Sequence, residues 1–425
     1  MNRKLAITAD HLIDFSFVFY FSMPFFIETA ETVLRIFGLP SMAKAICIII
    51  TCLPVVFVLI RSKKYKIWDF FVVFAFLVFS FCVTYFVHPE YEYVYTRENY
   101  GVYPYVFRAD NGLYAYLFVR LVDDPKRILK NMKISSYLMY VYFAIKIYSA
   151  VQTGYWLQHG YHGETVKLTY NLSLGYDILL YMFTFLYAAL KTKNLVDWVA
   201  AGVGVVMIIL AGSRGPFLDI GIFSVIYIMI SFKKSKKKYL YIGVGVVLIP
   251  IIMLSYTSIL LWISNILEQY DISSRFIKMM LSGDVADSST RQPIWSATIN
   301  MIKENPFGYG PMGTRHVIYL LHFVGHPHQI FLEILVDWGV FAGTAFIVFI
   351  LLKSAKVFLL DDIGDWKAVF LIFFCRACQL LLSLTYWHID AFWACLAIGM
   401  SIYEYRKNQR KRMLLNGEFE NHQCS

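Results

Sequence analysis

The sequence is poor in charged residues and lacks the signs of a nucleic-acid-binding protein. Only 16% of its 425 residues are charged and 58% are hydrophobic, whereas about a quarter of a soluble domain is usually charged. The mean hydropathy of +0.56 indicates a polytopic membrane protein. The net charge of +10 therefore does not predict a nucleic-acid partner, because the basic residues lie in short segments between apolar runs.

Several catalytic and cofactor motifs are also missing. The sequence has no Walker loop, no Gly-x-Ser-x-Gly nucleophile elbow and no Asp-x-Asp motif for a metal-bound nucleotide sugar. No internal repeat indicates the inverted halves of a transporter. The seven cysteines form no framework, and Cys375-x-x-Cys378 lacks a partner pair. His326-x-His328 has no convincing third ligand nearby, so neither a metal nor a cofactor is predicted.

The apolar runs predict an all-α fold, a polytopic transmembrane helix bundle of about twelve spans. A span needs roughly 20 mainly apolar residues. The twelve segments are 12–30, 42–60, 67–87, 104–122, 134–152, 174–190, 195–212, 216–232, 239–262, 327–352, 367–384 and 390–404. The fourth is weak, because Arg108, Asp110 and Asn111 lie in its first half.

The spans divide the chain into three predicted regions. N-terminal transmembrane helices occupy 1–194, a motif-bearing core occupies 195–404, and a basic cytoplasmic tail occupies 405–425. Within the core, the segment 263–326 forms a large outer loop between the ninth and tenth spans.

Lysine and arginine are unevenly distributed about these spans, which predicts their orientation. With a cytoplasmic N-terminus, 25 of the 39 Lys and Arg residues fall in inner segments and 11 in outer ones. This bias marks the cytoplasmic side, so both termini are expected there. Eight of the ten histidines then lie on the outer face, where we expect the chemistry. The basic run at 233–238 is explained by topology and lipid headgroup contacts.

One candidate anion site lies in a tight break between two spans. The sequence AGSRGP at 211–216 leaves almost no loop, and its glycines and proline favour a sharp turn. Arg214 should therefore lie at the outer membrane surface, where a guanidinium needs an anion or water. Free N–H groups beside Pro216 would add partial positive charge. These features favour a phosphate, with a snorkelling interfacial arginine as the alternative.

The long outer segment contains a second arginine and a shaped loop. Arg291 precedes an amphipathic stretch at 294–302, and the chain then breaks at 305–313, which reads NPFGYGPMG. This loop matches the glycine spacing of the dinucleotide fingerprint, but no strand precedes it and a proline interrupts it. We interpret it as a shaped loop over a cavity. Arg291 is either a ligand contact or a solvated charge.

Two histidines and a polar stripe lie at the mouth of the tenth span. His326 and His328 are followed by Gln329, Glu333 and Asp337, whose four-residue spacing places them on one helical face. Carboxylates at this depth face protein or water rather than lipid. A histidine beside them is suited to general base catalysis near neutral pH. Interfacial packing is the alternative reason for two histidines at this position.

The order of these motifs resembles that of the O-antigen ligase and O-antigen polymerase superfamily of bacterial envelope glycosyltransferases. The resemblance rests on Ser-Arg-Gly at 213–215, Arg-x-x-x-Trp at 291–295, Asn-Pro-x-Gly-x-Gly at 305–310 and His-x-His-Gln-x-x-Leu-Glu at 326–333. It covers about half of the chain. The family usually has Asn where this chain has Gln329.

The resemblance implies a metal-independent glycosyltransferase in the bacterial inner membrane, with its active site on the outer face and no cofactor. Its donor would be a glycan chain on undecaprenyl diphosphate. Arg214 and Arg291 would hold the diphosphate and stabilise it as it leaves. His326 or His328 would orient or deprotonate the acceptor hydroxyl, whose direct attack implies inversion. The supporting residues would be Gln329, Glu333 and Arg315.

A polysaccharide repeat-unit polymerase is the favoured function within this superfamily. The tyrosine-rich segment 91–95 favours it slightly, because aromatic rings can stack on sugars. A ligase that transfers finished chains to lipid A–core is the closest alternative. The expected partners are the lipid-linked donor and acceptor, membrane lipids and a chain-length regulator, but no nucleic acid.

A flippase for lipid-linked oligosaccharides is the alternative from another class. Ionisable residues within the spans, among them Lys146 and Arg376, would suit a polar transport path. The long outer loop with its arginines and histidines argues against it. One of Glu333 and Asp337 is expected to pair with Arg376.

Overall fold

The computed structural model describes residues 3–415 with several gaps, and the fold is given for the described residues. The gaps are 63–64, 66, 99, 160–164, 169–170, 214, 232–238, 241–242, 245–246, 248–250, 252–253, 270–280, 282–290 and 322–324. Arg214, one of the two predicted diphosphate ligands, therefore lies outside the described residues.

The described residues are predominantly helical, which confirms the predicted all-α class. The helices are α1 (Arg3–Phe21), α2 (Met23–Arg35), α3 (Ala43–Arg61), α4 (Trp68–Val87), α5 (Glu92–Tyr95), α6 (Leu113–Val122), α7 (Pro125–Thr153), α8 (Leu172–Thr192), α9 (Leu195–Ala211), α10 (Gly215–Ser231), α11 (Tyr256–Glu268), α12 (Arg291–Glu304), α13 (Gly313–Leu320), α14 (Ile330–Leu359), α15 (Trp366–Ala377) and α16 (Asp390–Leu415). Short 3-10 helices occupy Pro40–Met42, Pro89–Tyr91 and Cys378–Leu381, and a π-helix occupies Tyr103–Phe107. Strands β1 (Trp156–His159) and β2 (Thr165–Leu168) form an antiparallel hairpin.

Long apolar helices make the chain polytopic, as expected. Within the described residues, five helices are long and apolar enough to span a membrane, namely Pro40–Arg61, Trp68–Val87, Pro125–Thr153, Ser173–Thr192 and Ile330–Leu359. They correspond to the second, third, fifth, sixth and tenth predicted spans. Helices α6, α9, α10 and part of α11 are apolar but shorter. Against the twelve predicted spans, the described residues therefore provide five helices of spanning length, or six if the bent pair α1–α2 counts as one span.

The first predicted span is broken in the structure. Helix α1 ends at Phe21, α2 begins at Met23, and their axes are bent by 79°. Pro24 is the second residue of α2, where its missing N–H costs no hydrogen bond within the new helix. The mainly apolar composition of 12–30 predicted one span, although Ser22 and Pro24 lie at this break. Helix α2 leaves the direction of the first span.

The fourth predicted span is also broken, at its polar residues. The side-chain amide of Asn111 donates to the carbonyl of Pro104 (2.7 Å), and Asp110 forms ion pairs with Arg108 and Lys44. These bonds hold the non-helical turn between the π-helix and α6. The ten residues of α6 extend only about 15 Å, which is half of a typical hydrocarbon core of about 30 Å.

The ninth and eleventh predicted spans differ from expectation as well. Most of 239–255 lies outside the described residues, and the described helix there is α11. Helix α15 stops at Ala377, and a 3-10 turn and the irregular segment 382–389 connect it to α16. This segment folds back into the protein, where it reaches the residues of α14.

Helix directions place the chemically interesting segments at one end of the bundle. Helix α7 runs toward the β-hairpin and α8 runs back and packs against α7, α9 and α15. The start of α14 and the segment 382–389 lie at this same end, joined by hydrogen bonds described below. We call it the histidine end, because His326, His328 and His388 lie there. The opposite end, the basic end, carries Arg120 and Arg127.

The two arginines of the basic end form ion pairs with carboxylates. The buried guanidinium of Arg120 contacts Asp69 (2.7 Å), Asp123 (2.9 Å) and Glu404 (3.1 Å). Arg127 contacts two aspartates of α1 at 2.9 and 3.1 Å. Because these pairs join α1, α4, α6, α7 and α16, they fix the helices relative to one another.

Candidate functional site

Gln329 fixes the start of α14. Its side-chain oxygen accepts a hydrogen bond from the backbone N–H of Leu332 (2.7 Å), which makes it the N-cap of the helix. An amide at this position thus has a structural task, which Asn would also perform. The cap sets the direction of the first turn of α14 and hence the position of Glu333.

His326 and His328 lie against each other just before this cap. Their ring centroids are 4.1 Å apart, and His328 has a positive φ of 55°, a conformation that few non-glycine residues adopt. Trp295 of α12 donates to the carbonyl of Pro327 (2.9 Å), which anchors the turn between the two histidines. Helix α12 therefore helps to fix the turn that carries the histidine pair.

His326 has the character of a neutral imidazole. Burial, the neighbouring His328 and the positive charge of Arg315 lower the pKa of His326 well below its usual value. Its Nε2 is buried and has no hydrogen-bond partner among the described residues. A neutral ring with a free nitrogen can accept a proton.

Arg315 is a buried cation close to the histidines. It is 5% exposed, donates to the carbonyl of Tyr100 (2.6 Å) and lies over the ring of Tyr105 at 4.8 Å. No carboxylate among the described residues lies within ion-pair distance, and its Nε has no partner there. A buried guanidinium in this condition can take an anion at low cost, because its desolvation has already occurred on folding.

Glu333 and Asp337 are buried and hydrogen-bonded to a neighbouring segment. Thr385 donates to Glu333 (2.6 Å), and Tyr386 donates to Asp337 (2.9 Å). Thr314 of α13 also donates to Asp337 (2.6 Å). The stripe predicted on α14 is therefore real, and it connects α13, α14 and the segment 382–389.

The expected ion pair between this stripe and Arg376 is wrong. Arg376 instead contacts Asp177 of α8 (2.8 Å) and the side-chain oxygen of Gln379. The break after α15 explains the difference, because the guanidinium at the end of this shortened helix reaches α8 rather than α14.

The loop at 305–313 is bound to a kink in α14. Gly339 interrupts the helix with a φ of 76°, and the backbone N–H of Val340 freed there donates to the carbonyl of Pro306 in the loop (2.8 Å). A side chain on Gly308 would meet the backbone N of Gly339 at 2.5 Å. The glycines thus permit close backbone packing, in agreement with the interpretation of this motif as a shaped loop.

Of the two arginines expected to bind diphosphate, the structure describes only the backbone of Arg291. Arg291 is the first residue of α12, and its side chain, like all of Arg214, is outside the described part of the structure. The neighbours of Arg214 are described: Ser213 is buried, and a side chain on Gly175 would come within 2.6 Å of its Cβ. Ser213 therefore packs against the start of α8.

A cavity of about 890 Å³ lies at the histidine end, between α1, α2, α7, α8 and the segment 388–390. None of the described candidate residues (Arg315, His326, His328, Gln329 and Glu333) lines it. His388 does, and so does Asp177 with its partner Arg376. The cavity and the histidine pair are neighbours, joined by the segment 385–390, which contacts Glu333 at its start and lines the cavity at its end.

Sequence reasoning missed this segment. Residues 385–390 read TYWHID, and the predicted spans leave 385–389 as a short connection before the twelfth span at 390. The cluster of polar and aromatic residues between apolar runs was a usable signal, since such residues are costly in lipid unless they face protein.

Comparison with known proteins agrees with the motif order. Residues 199–347 match the family model described as O-antigen ligase, which confirms the resemblance to the O-antigen ligase and polymerase superfamily. The match begins in α9 and ends in α14, within the predicted motif-bearing core. No curated protein and no solved structure matches the chain.

Proposed function

Since residues 199–347 match the O-antigen ligase family, we propose that this membrane glycosyltransferase is a polysaccharide repeat-unit polymerase. It would transfer a glycan chain from undecaprenyl diphosphate to the non-reducing end of another lipid-linked repeat unit. The observation that carries the chemistry is Arg315, a buried cation that forms no ion pair with the described carboxylates. It lies close to His326, whose Nε2 has no described hydrogen-bond partner. An anionic leaving group and an acceptor hydroxyl are the two partners that this arrangement suits.

Arginines would hold the donor diphosphate. We assign Arg214 and Arg291 to it on the family motif, with Arg315 in support on its burial and its unused Nε. A planar guanidinium grips phosphate oxygens at two points. Its charge would stabilise the negative charge that develops as the diphosphate leaves.

A histidine would receive the proton of the acceptor hydroxyl. His326 and His328 are both assigned to this step, since their rings are in contact. The lowered pKa of His326 keeps it neutral at physiological pH, so it is ready to accept a proton. The hydroxyl oxygen then bonds to the anomeric carbon as the bond to the diphosphate oxygen breaks, with inversion.

The orientation of the molecule follows from the charge distribution. We place the histidine end on the outer face of the bacterial inner membrane and both termini in the cytoplasm, because Lys and Arg are concentrated in the segments assigned to the inside. A chain-length regulator would meet the outer face.

Glycan analysis of a deletion strain tests the function. A polymerase predicts single repeat units on lipid, a ligase predicts long chains that remain unligated, and a flippase predicts no repeat units at the surface. Purified protein should also convert lipid-linked repeat units into a ladder of longer products, and the absence of any ladder would contradict the polymerase assignment.

A further inference from the structure

The cavity at the histidine end has the size and position of a substrate site that the arginine and histidine assignments leave unexplained. Its volume of about 890 Å³ lies in the range of about 300–1,000 Å³ that is typical of ligand pockets. One wall is the start of α8, which packs against Ser213. Another is the segment 388–390, which directly follows the residues bound to Glu333 and Asp337.

Two of the three basic side chains of the cavity wall are engaged by carboxylates, and the third is the exposed Arg35. Lys146 contacts Glu28 (2.9 Å), and Arg376 contacts Asp177 (2.8 Å). Asp110, also in the wall, is paired with Lys44 (3.1 Å). Glu31 and Asp390 also line the cavity, so carboxylates outnumber basic side chains in its wall. A diphosphate or an acidic sugar would therefore meet like-charge repulsion there.

The carboxylates themselves still face the cavity. The side chain of Asp177 is 49% exposed although its partner Arg376 is only 3% exposed. An ionised carboxylate accepts hydrogen bonds and donates none, so the exposed oxygens suit a ligand rich in hydroxyl donors. The aromatic side chains of Tyr142, Tyr155 and Trp156 complete the wall and offer flat apolar surface.

We propose that this cavity, built on Glu28–Lys146 and Asp177–Arg376, binds uncharged sugar residues of the lipid-linked glycan. This inference rests on the proposed function, which identifies the ligand as a lipid-linked glycan. It adds that the sugars bound in the cavity are uncharged. The diphosphate is bound elsewhere, near the arginines. The sugar portion of the glycan extends into the cavity, whose carboxylates disfavour acidic sugars.

Binding of a free oligosaccharide to the purified full-length protein tests the proposal. The probe is the repeat-unit oligosaccharide released by mild acid from its lipid diphosphate in the source strain, measured by isothermal titration calorimetry. Ser149, an exposed residue of α7 in the cavity wall, is replaced in Ser149→Trp to fill the space. The matched control is Ala144→Trp, an exposed position on the same helix outside the wall.

We expect at least tenfold weaker binding to Ser149→Trp and unchanged binding to Ala144→Trp. We also expect that oxidation of the primary hydroxyls of the probe to carboxylates weakens its binding to the wild type at least tenfold. Equal binding to both tryptophan variants would overturn the site, and equal or tighter binding of the oxidised probe would overturn its preference for uncharged sugars.

Elongation of lipid-linked repeat units, measured in parallel, separates this proposal from the proposed function. If the wild type elongates them but the oligosaccharide binds Ser149→Trp normally, the cavity assignment fails alone. If the oligosaccharide binds as expected but no elongation occurs, the polymerase assignment fails and the sugar site stands.

Discussion

Two buried arginines at opposite ends of the bundle have contrasting surroundings. Arg120 at the basic end is 3% exposed and contacts three carboxylates and the hydroxyl of Ser401. Arg315 at the histidine end is 5% exposed and has a backbone carbonyl and an aromatic ring as its described partners. Burial is similar, but among the described residues only Arg120 forms ion pairs, whereas Arg315 interacts with Glu333 and Asp337 at longer range.

The difference separates a structural charge from one available to a ligand. A buried cation with carboxylate partners holds helices together, and its removal leaves those carboxylates unpaired. A buried cation without carboxylate partners is tolerated where a bound anion compensates its charge. The family match covers Arg315 and excludes Arg120, in agreement with a functional role for the former.

The histidine end should show the largest loss of activity. We expect His326→Ala, which removes the free nitrogen, to reduce elongation about 10²–10⁴-fold while the protein stays folded and binds lipid-linked donor. Product ladders and a thermal melt measure the two effects. The control is His88→Ala, a more peripheral histidine paired with Glu90 at the same end. Normal elongation by both His326→Ala and His328→Ala would mean that the pair only shapes the start of α14.

The basic end should show a loss of stability instead. Arg120→Met leaves Asp69, Asp123 and Glu404 without their shared partner, and breaking a buried pair costs about 3–5 kcal/mol. We expect the lower end of that range, because the side chains of Asp123 and Glu404 are 44% and 35% exposed. Yield and thermal midpoint should fall, while the elongation rate per folded molecule is retained. A stable but inactive Arg120→Met variant would contradict the structural role assigned to this arginine.

The pH dependence distinguishes His326 from an ordinary histidine. Its lowered pKa means that it loses its proton at a lower pH than the unperturbed value of about 6.5. If the neutral ring is the base, elongation should rise with pH along a limb whose midpoint lies below about 6.5 and should be flat near pH 7. An activity profile from pH 4.5 to 8 measures this, and a midpoint at or above 6.5 would argue against His326.

Metal chelation should have the smallest effect. Elongation is expected to be unchanged by EDTA, because no third ligand accompanies the two histidines in the sequence. If EDTA abolishes turnover and Mg²⁺ or Mn²⁺ restores it, the histidines act as metal ligands and the base assignment fails.

Composition and spacing predicted the elements that depend on local pattern. The long apolar runs became helices α3, α4, α7, α8 and α14, since a run of this length in lipid must satisfy its hydrogen bonds internally. The polar stripe of α14 also followed from spacing alone.

Features that depend on tertiary contacts were not predictable in this way. The break at 22 lies within a mainly apolar run that hydropathy treats as one span. The partner of Arg376 depends on where α15 ends. The segment 385–390 acquires its role only when it folds back onto Glu333, 52 residues away in sequence. Hydropathy carries no information about these tertiary contacts.

Binding of undecaprenyl diphosphate to Arg315→Gln, compared with the wild type, tests most directly whether the buried charge of Arg315 serves the donor. Loss of one charge-assisted contact costs about 1.5–3 kcal/mol, or roughly ten- to a hundredfold in affinity. We predict a dissociation constant raised by that factor, with the thermal midpoint in the absence of lipid close to that of the wild type. Unchanged affinity in a folded Arg315→Gln protein would contradict the account.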